Sequence, residues 1–171
     1  MPTLRRVTGF YNARAENPGH FKRLSSVQKV ASALGLVLIE KPIKSTEDIE
    51  RALTSVQKGT TDGLFMICST LFRDSQTKIT AVAVQKRLAL TGCRDRAVSE
   101  QGSLLSYRAD DYRIGHRAAW YVDRILKGTK PQDLPVEAPT YFELVINLKT
   151  AKQIGLTIPP NVLARADKVI R

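Results

Sequence analysis

The chain has 171 residues, 43% of them hydrophobic and 25% charged, a balance that suits one globular core and excludes a disordered or low-complexity polypeptide. No apolar run approaches the ~18 residues that cross a bilayer, and the two cysteines, Cys68 and Cys93, make neither a C-x-x-C pair nor a metal-ligand spacing. The formal net charge of +11 invites a nucleic-acid reading, but lysine and arginine are scattered. The densest groups are Arg5 with Arg6 and Lys127 with Lys130, and no aromatic residues interleave with them as a stacking platform requires, so a solvated basic surface is the simpler reading.

Residues 6–11, RVTGFY, read as a first strand, and the polar residues 12–19, NARAENPG, as a loop. Phe21, Leu24, Val27, Ala31 and Leu34 then recur at helical spacing up to Gly35. Residues 36–39 form a second strand. Ser45 opens a second helix in a capping-box-like pattern with Asp48, carries Ile49, Leu53 and Val56 inward, and ends by Gly59. The continuous apolar run 63–68, GLFMIC, predicts a strand buried on both faces. On this reading Cys68 is a small core residue, and a Cys68–Cys93 disulfide is the less favoured alternative.

A helix over 72–86 carries Ile79, Val82 and Ala83 inward, a short strand follows at 88–91, and 92–101 read as irregular. Residues 103–107 make another strand. Asp110 caps a helix with the apolar stripe Ala118, Val122, Ile125 and Leu126, closed by Gly128. Residues 129–139, with three prolines, are an extended linker. Phe142, Leu144, Val145, Ile146 and Leu148 form a strand that runs into a short helix ending at Gly155, and a last helix spans 160–169. Strands alternating with helices predict an α/β fold, a Rossmann-like parallel sheet with helices on both faces.

Nothing in the chain suggests an enzyme. His20 and His116 belong to no triad and read as surface residues, and no G-x-S-x-G elbow, H-E-x-x-H, P-loop or G-x-G-x-x-G is present, so neither a metal nor a cofactor is expected. Binding remains. Ligands of open parallel sheets sit beyond the C-terminal strand ends, which here offer Tyr11, Asn12, Ser69, Thr70, Thr91 and Gly92. Asp110 adds a carboxylate suited to a ligand amine. The competing reading makes Asn12, Ser69 and Thr70 turn and cap residues, and Asp110 a cap.

Residues 140–160, TYFELVINLKTAKQIGLTIPP, with PQDLPVEAPT before them and NVLARADKVI after, resemble the C-terminal signature of the ABC-transporter substrate-binding protein family. RVTGFYN resembles that family's opening of the second lobe, STEDIERAL its second helix, and SLLSYRAD with YRIGHRAAWYVDRILKG its crossing into the first lobe. The likeness covers nearly the whole chain but only the family's C-terminal half. Two departures stand out: Arg108 occupies a usual glycine position, and RLALTGCRDRAVSEQGS lacks the usual strand and glycine pair.

The resemblance implies the type I periplasmic-binding-protein fold, in which two lobes close on a ligand by a hinge motion. It implies that residues 3–100 and 141–156 form the second lobe, 109–130 a piece of the first, 101–108 and 131–140 the crossovers, with 157–171 a C-terminal helix. It points to Asn12, Ser69, Thr70 and Asp110 as ligand-binding residues. The implied role is capture of a small organic solute, such as an amino acid, for an ABC permease. Most of the first lobe would be missing, so weak binding or none is expected of this chain alone, with self-association through helix 110–126. The alternative is a cytosolic small-molecule sensor or regulatory domain of the same fold with a basic surface. Family members work in the periplasm. The stretch MPTLRRVTGFY does not read as a signal peptide, so the chain as written is expected in the cytoplasm.

Overall fold

Four parallel strands, β1 (Arg6–Asn12), β2 (Val37–Ile43), β3 (Gly63–Met66) and β4 (Ala89–Leu90), pair in the order β2-β1-β3-β4 in a computed structural model of the chain. The structure describes residues 5–14 and 18–171; loop residues 15–17, the lobe boundary drawn at Thr3, and the side chains of His20 and Phe21 lie outside the described residues. Helices α1 (Pro18–Ala33), α2 (Thr46–Ser55), α3 (Thr70–Asp74) and α4 (Gln76–Gln85) connect these strands.

Strand alternation divides the helices between the two faces. Leu64 and Met66 enter the main core with Ile49 and Leu53 of α2, Phe72 of α3 and Ile79 of α4. The intervening Phe65 lines a groove beside α1, on the opposite face, together with Val27 and Val30. The expected parallel sheet with helices on both faces is therefore present.

Local chemistry accounts for most element ends. Ser45 accepts from the Asp48 amide, and Asp48 returns a bond to the Ser45 amide, a complete capping box. Lys86 closes the other end of α2 by donating from Nζ to the Leu53 and Val56 carbonyls at 2.7 and 2.6 Å. The helix ends at Ser55, short of the expected Gly59. Asp62 fastens the start of β1 by accepting from the Arg5 and Arg6 amides, both at 2.9 Å, and these bonds hold its carboxyl below the ordinary 3.8.

Beyond β4 come α5 (Asp95–Ser99), β5 (Leu105–Ala109), α6 (Asp111–Leu126), a 3-10 turn at Pro131–Asp133, β6 (Phe142–Asn147), α7 (Leu148–Ile154), α8 (Pro160–Leu163) and β7 (Lys168–Ile170). β5 and β6 pair antiparallel, β6 and β7 parallel. A parallel bridge from Thr91 to Leu105 joins this second sheet to the first. Asn147 caps α7 through the Thr150 amide, and Gly155 ends it in the left-handed conformation at φ 74°.

Several expectations are corrected. The helix expected over 72–86 is two helices broken at Ser75, because Phe72 and Gln76 both turn into the interior. Residues 92–101 are not irregular: α5 buries Ala97 and Val98. The expected last helix stops after Leu163, and Lys168–Ile170 add to β6 instead. Arg108 fits its strand without left-handed backbone and pairs with Asp111.

Cys68 is exposed rather than part of the core, and it is bonded to Cys93 with a Cα–Cα separation of 5.5 Å. The two cysteines follow neighbouring strands in the sheet, which brings them within bonding range despite a sequence separation of 25.

Candidate functional site

The register of β1 with β3, Phe10 opposite Met66, carries Asn12 and the loop that begins at Cys68 past the same end of the sheet. Asn12 is half-buried, and its Oδ1 accepts from the Arg14 amide at 3.0 Å, an Asx turn that shapes the loop after β1. Ser69 sits at the N-cap position of α3 but makes no cap bond; its hydroxyl is buried and has no partner among the described residues. A buried hydroxyl without a partner is uncommon and costs about 1–3 kcal/mol, so the capping reading of Ser69 does not account for it. Thr70, the first residue of α3, is exposed.

Gly92 closes the row. Its amide donates to the Leu105 carbonyl at 2.6 Å, and a Cβ there would meet the Ala97 Cβ at 3.0 Å and the Ser103 Cβ at 3.3 Å. Only glycine lets the β4 end approach α5 this closely.

Asp110 stands apart from these residues. β5 leaves the first sheet at Leu105, and five residues of strand carry the chain about 16 Å farther before Asp110 begins α6. Asp110 accepts from the Tyr112 and Arg113 amides at 2.9 and 3.2 Å and pairs with Arg113 at 3.4 Å, so the capping role expected for it is real. The structure thus brings Asn12, Ser69 and Thr70 to one end of one sheet and sets Asp110 on a separate projection.

That projection has an open apolar side. None of the α6 residues is buried, and Val122 and Ile125 are 55% and 42% exposed. Between α6 and residues 131–141 lies a groove of about 1410 Å³, lined by Asp110, Ile114, Ala118, Ile125, Leu134 and Val136 among others. The linker is pinned to the helix by a bidentate pair from Arg117 to Glu137 at 2.7 and 2.5 Å and by the Tyr121 hydroxyl donating to the Pro135 carbonyl at 2.6 Å. The Arg117 guanidinium holds the Glu137 carboxyl below its usual range.

Arginines and aromatic rings interleave along this projection, away from the densest basic groups. Arg117 lies over Trp120 at 3.8 Å and Arg113 over Tyr141 at 4.0 Å. A smaller apolar groove of about 450 Å³ runs beside α1. Among the described residues no acidic, His and Cys cluster could hold a metal, and no helix is long and apolar enough to cross a membrane.

A parallel α/β unit with polar residues at its strand ends is joined by two antiparallel strands to a helix none of whose residues is buried. The chain belongs to the ABC transporter substrate binding protein family, whose profile matches residues 1–170. A tyrosine-binding protein from Clostridioides difficile is 23% identical over 155 residues, 91% of this chain and 44% of that protein.

A conserved domain protein from Vibrio cholerae has the same fold at a TM-score of 0.81 and 28% identity, over 99% of this chain and 56% of that one. A Streptococcus pneumonia ABC domain in complex with L-Trp gives 0.84 and 23%, over 99% and 58%. The chain therefore spans about half the length of the relatives it matches.

Proposed function

We propose that this chain is the second lobe, with one helix of the first, of a two-lobed protein that captures a small organic solute and presents it to an ABC permease. Residues 3–100 and 141–156 are the second lobe, 109–130 the first-lobe piece, and 101–108 and 131–140 the crossovers. The solute binds beyond the C-terminal ends of β1, β3 and β4, near Asn12, Ser69 and Thr70, with Asp110 across the crevice. An aromatic amino acid is the favoured solute, because relatives of this chain are named for tyrosine binding or hold L-Trp. The disulfide favours an oxidising compartment outside the cytoplasm as the place of work.

One observation carries this reading: α6 follows β5 away from the first sheet with Val122 and Ile125 of its apolar stripe exposed. Burial of apolar area is the main force that fixes a helix in place, and an open stripe of this kind marks a surface built for another body. In the two-lobed reading that body is the first-lobe sheet.

The surface can be tested directly. The purified chain should self-associate in sedimentation and should bind a hydrophobic dye such as anilinonaphthalene sulfonate. The double variant Val122→Lys, Ile125→Lys should lose most of both. Both positions are exposed, so its stability should change by no more than about 0.5 kcal/mol per site. An ideal monomer that leaves the dye dark would count against an uncovered lobe interface.

A further inference from the structure

The Cys68–Cys93 bridge ties two loops of unequal firmness. Cys93 packs against the main core, and its amide donates to Gln76 Oε1 at 3.4 Å. Gln76 is buried and donates to the hydroxyls of Thr80 and Ser103 at 3.1 and 3.0 Å. The β4 end is therefore held whether or not the bridge exists.

Cys68 has no such setting. It is exposed, it lies between the last sheet bond of its strand, the Ile67 amide to the Phe10 carbonyl at 2.9 Å, and the buried anchor Phe72, and it is followed by Ser69 with its unpartnered hydroxyl. The helix that follows has five residues, too few to hold its own first turn. Leu71 packs against the main core, so the segment that depends on the bridge is residues 68–70.

We infer that the Cys68–Cys93 disulfide is a reducible latch on the solute-facing loop 68–70: closed, it fixes Ser69 and Thr70 against the β4 end, and open, it frees that loop while the β4 end stays in place. The inference rests on the proposed solute site at this end of the sheet. A dithiol such as dithiothreitol opens the latch by thiolate attack on one sulfur. A mixed disulfide forms and the other cysteine leaves as thiolate; the second thiol then closes the reagent into a ring, so that two electrons and two protons pass from reagent to protein. Capture would then be tied to an oxidising compartment.

Hydrogen–deuterium exchange of the chain at short times tests the latch, comparing the oxidised form, the dithiothreitol-reduced form and the double variant Cys68→Ser, Cys93→Ser. The Arg73 amide, which donates to the Ser69 carbonyl at 3.0 Å, should exchange about tenfold faster in both opened forms, while 91–93 keep their protection. Equal exchange at Arg73 in oxidised and reduced chains would overturn the latch, as would free thiols in the chain purified without reductant. An L-tryptophan titration followed by amide chemical shifts separates the two ideas. Faster exchange with tryptophan shifts gathered at the opposite end of the sheet keeps the latch and removes the solute site, whereas unchanged exchange with equal tryptophan responses at residues 68–70 removes the latch and keeps the site.

Discussion

Phe72→Ala is expected to lower the unfolding free energy by about 4 kcal/mol, and the melting temperature by roughly 10 °C. The ring is completely buried and lies 6.5 Å from that of Phe10 on β1. It is the anchor that presses the short helix α3 onto the sheet, and nothing else in Thr70–Asp74 is buried. Deletion removes the transfer energy of an aromatic side chain and leaves a cavity that a five-residue helix can close only by moving Ser69 and Thr70. Urea unfolding should show a lower midpoint with an unchanged slope. Phe72→Leu, which keeps most of the volume, should lose less than half as much. If Phe72→Ala cost under about 1 kcal/mol, the helix would be held by something other than this contact.

The second large effect is expected at Asn147, where β6 meets α7. The side chain is buried and works at both ends: Oδ1 accepts from the Thr150 amide at 3.0 Å, and Nδ2 donates to the Val98 carbonyl at 3.0 Å. The first bond caps α7, and the second joins the returning strand to α5. Asn147→Ala removes a cap worth about 1 kcal/mol and leaves a buried carbonyl unsatisfied at about 1–3 kcal/mol, for a total near 3 kcal/mol. Asn147→Ser keeps an oxygen for the cap but cannot reach Val98, and should recover about 1 kcal/mol of the alanine loss. Urea denaturation of the two variants side by side separates the bonds. Equal stability of alanine and serine would mean that the cap contributes nothing.

Features set by near neighbours were readable from the sequence. The Ser45 and Asp48 capping box and the Gly155 helix end depend on residues within one turn, and both stand as expected. The order of strands and helices was equally legible, because apolar periodicity marks each element independently of its partners. The misses depend on distant partners. Residues 168–170 become a strand only through pairing with Val145, Ile146 and Asn147. The break at Ser75 reflects a pocket for Gln76 made by Ser103, 27 residues away.

The candidate site divides in the same way. Parallel-sheet logic singled out Asn12, Ser69 and Thr70 at one strand end, and the sheet register puts the loops that carry them there. The bridge beside them was the less favoured reading because two cysteines separated by 25 residues carry no local spacing signal. The apolar stripe of α6 was visible in its periodicity. That its cover would lie in a missing lobe was suggested only by the family resemblance, since periodicity says that a stripe needs cover and not where the cover lies.

The most direct test of the two-lobed solute trap is a titration of the isotope-labelled, oxidised chain with L-tryptophan, followed by backbone amide shifts. With one wall of the cleft present, the account predicts weak binding at a Kd of about 1 mM or above, with whatever shifts appear concentrated in residues 12–14, 68–72 and 91–93. Shifts gathered at the opposite end of the sheet or along α1 would contradict it.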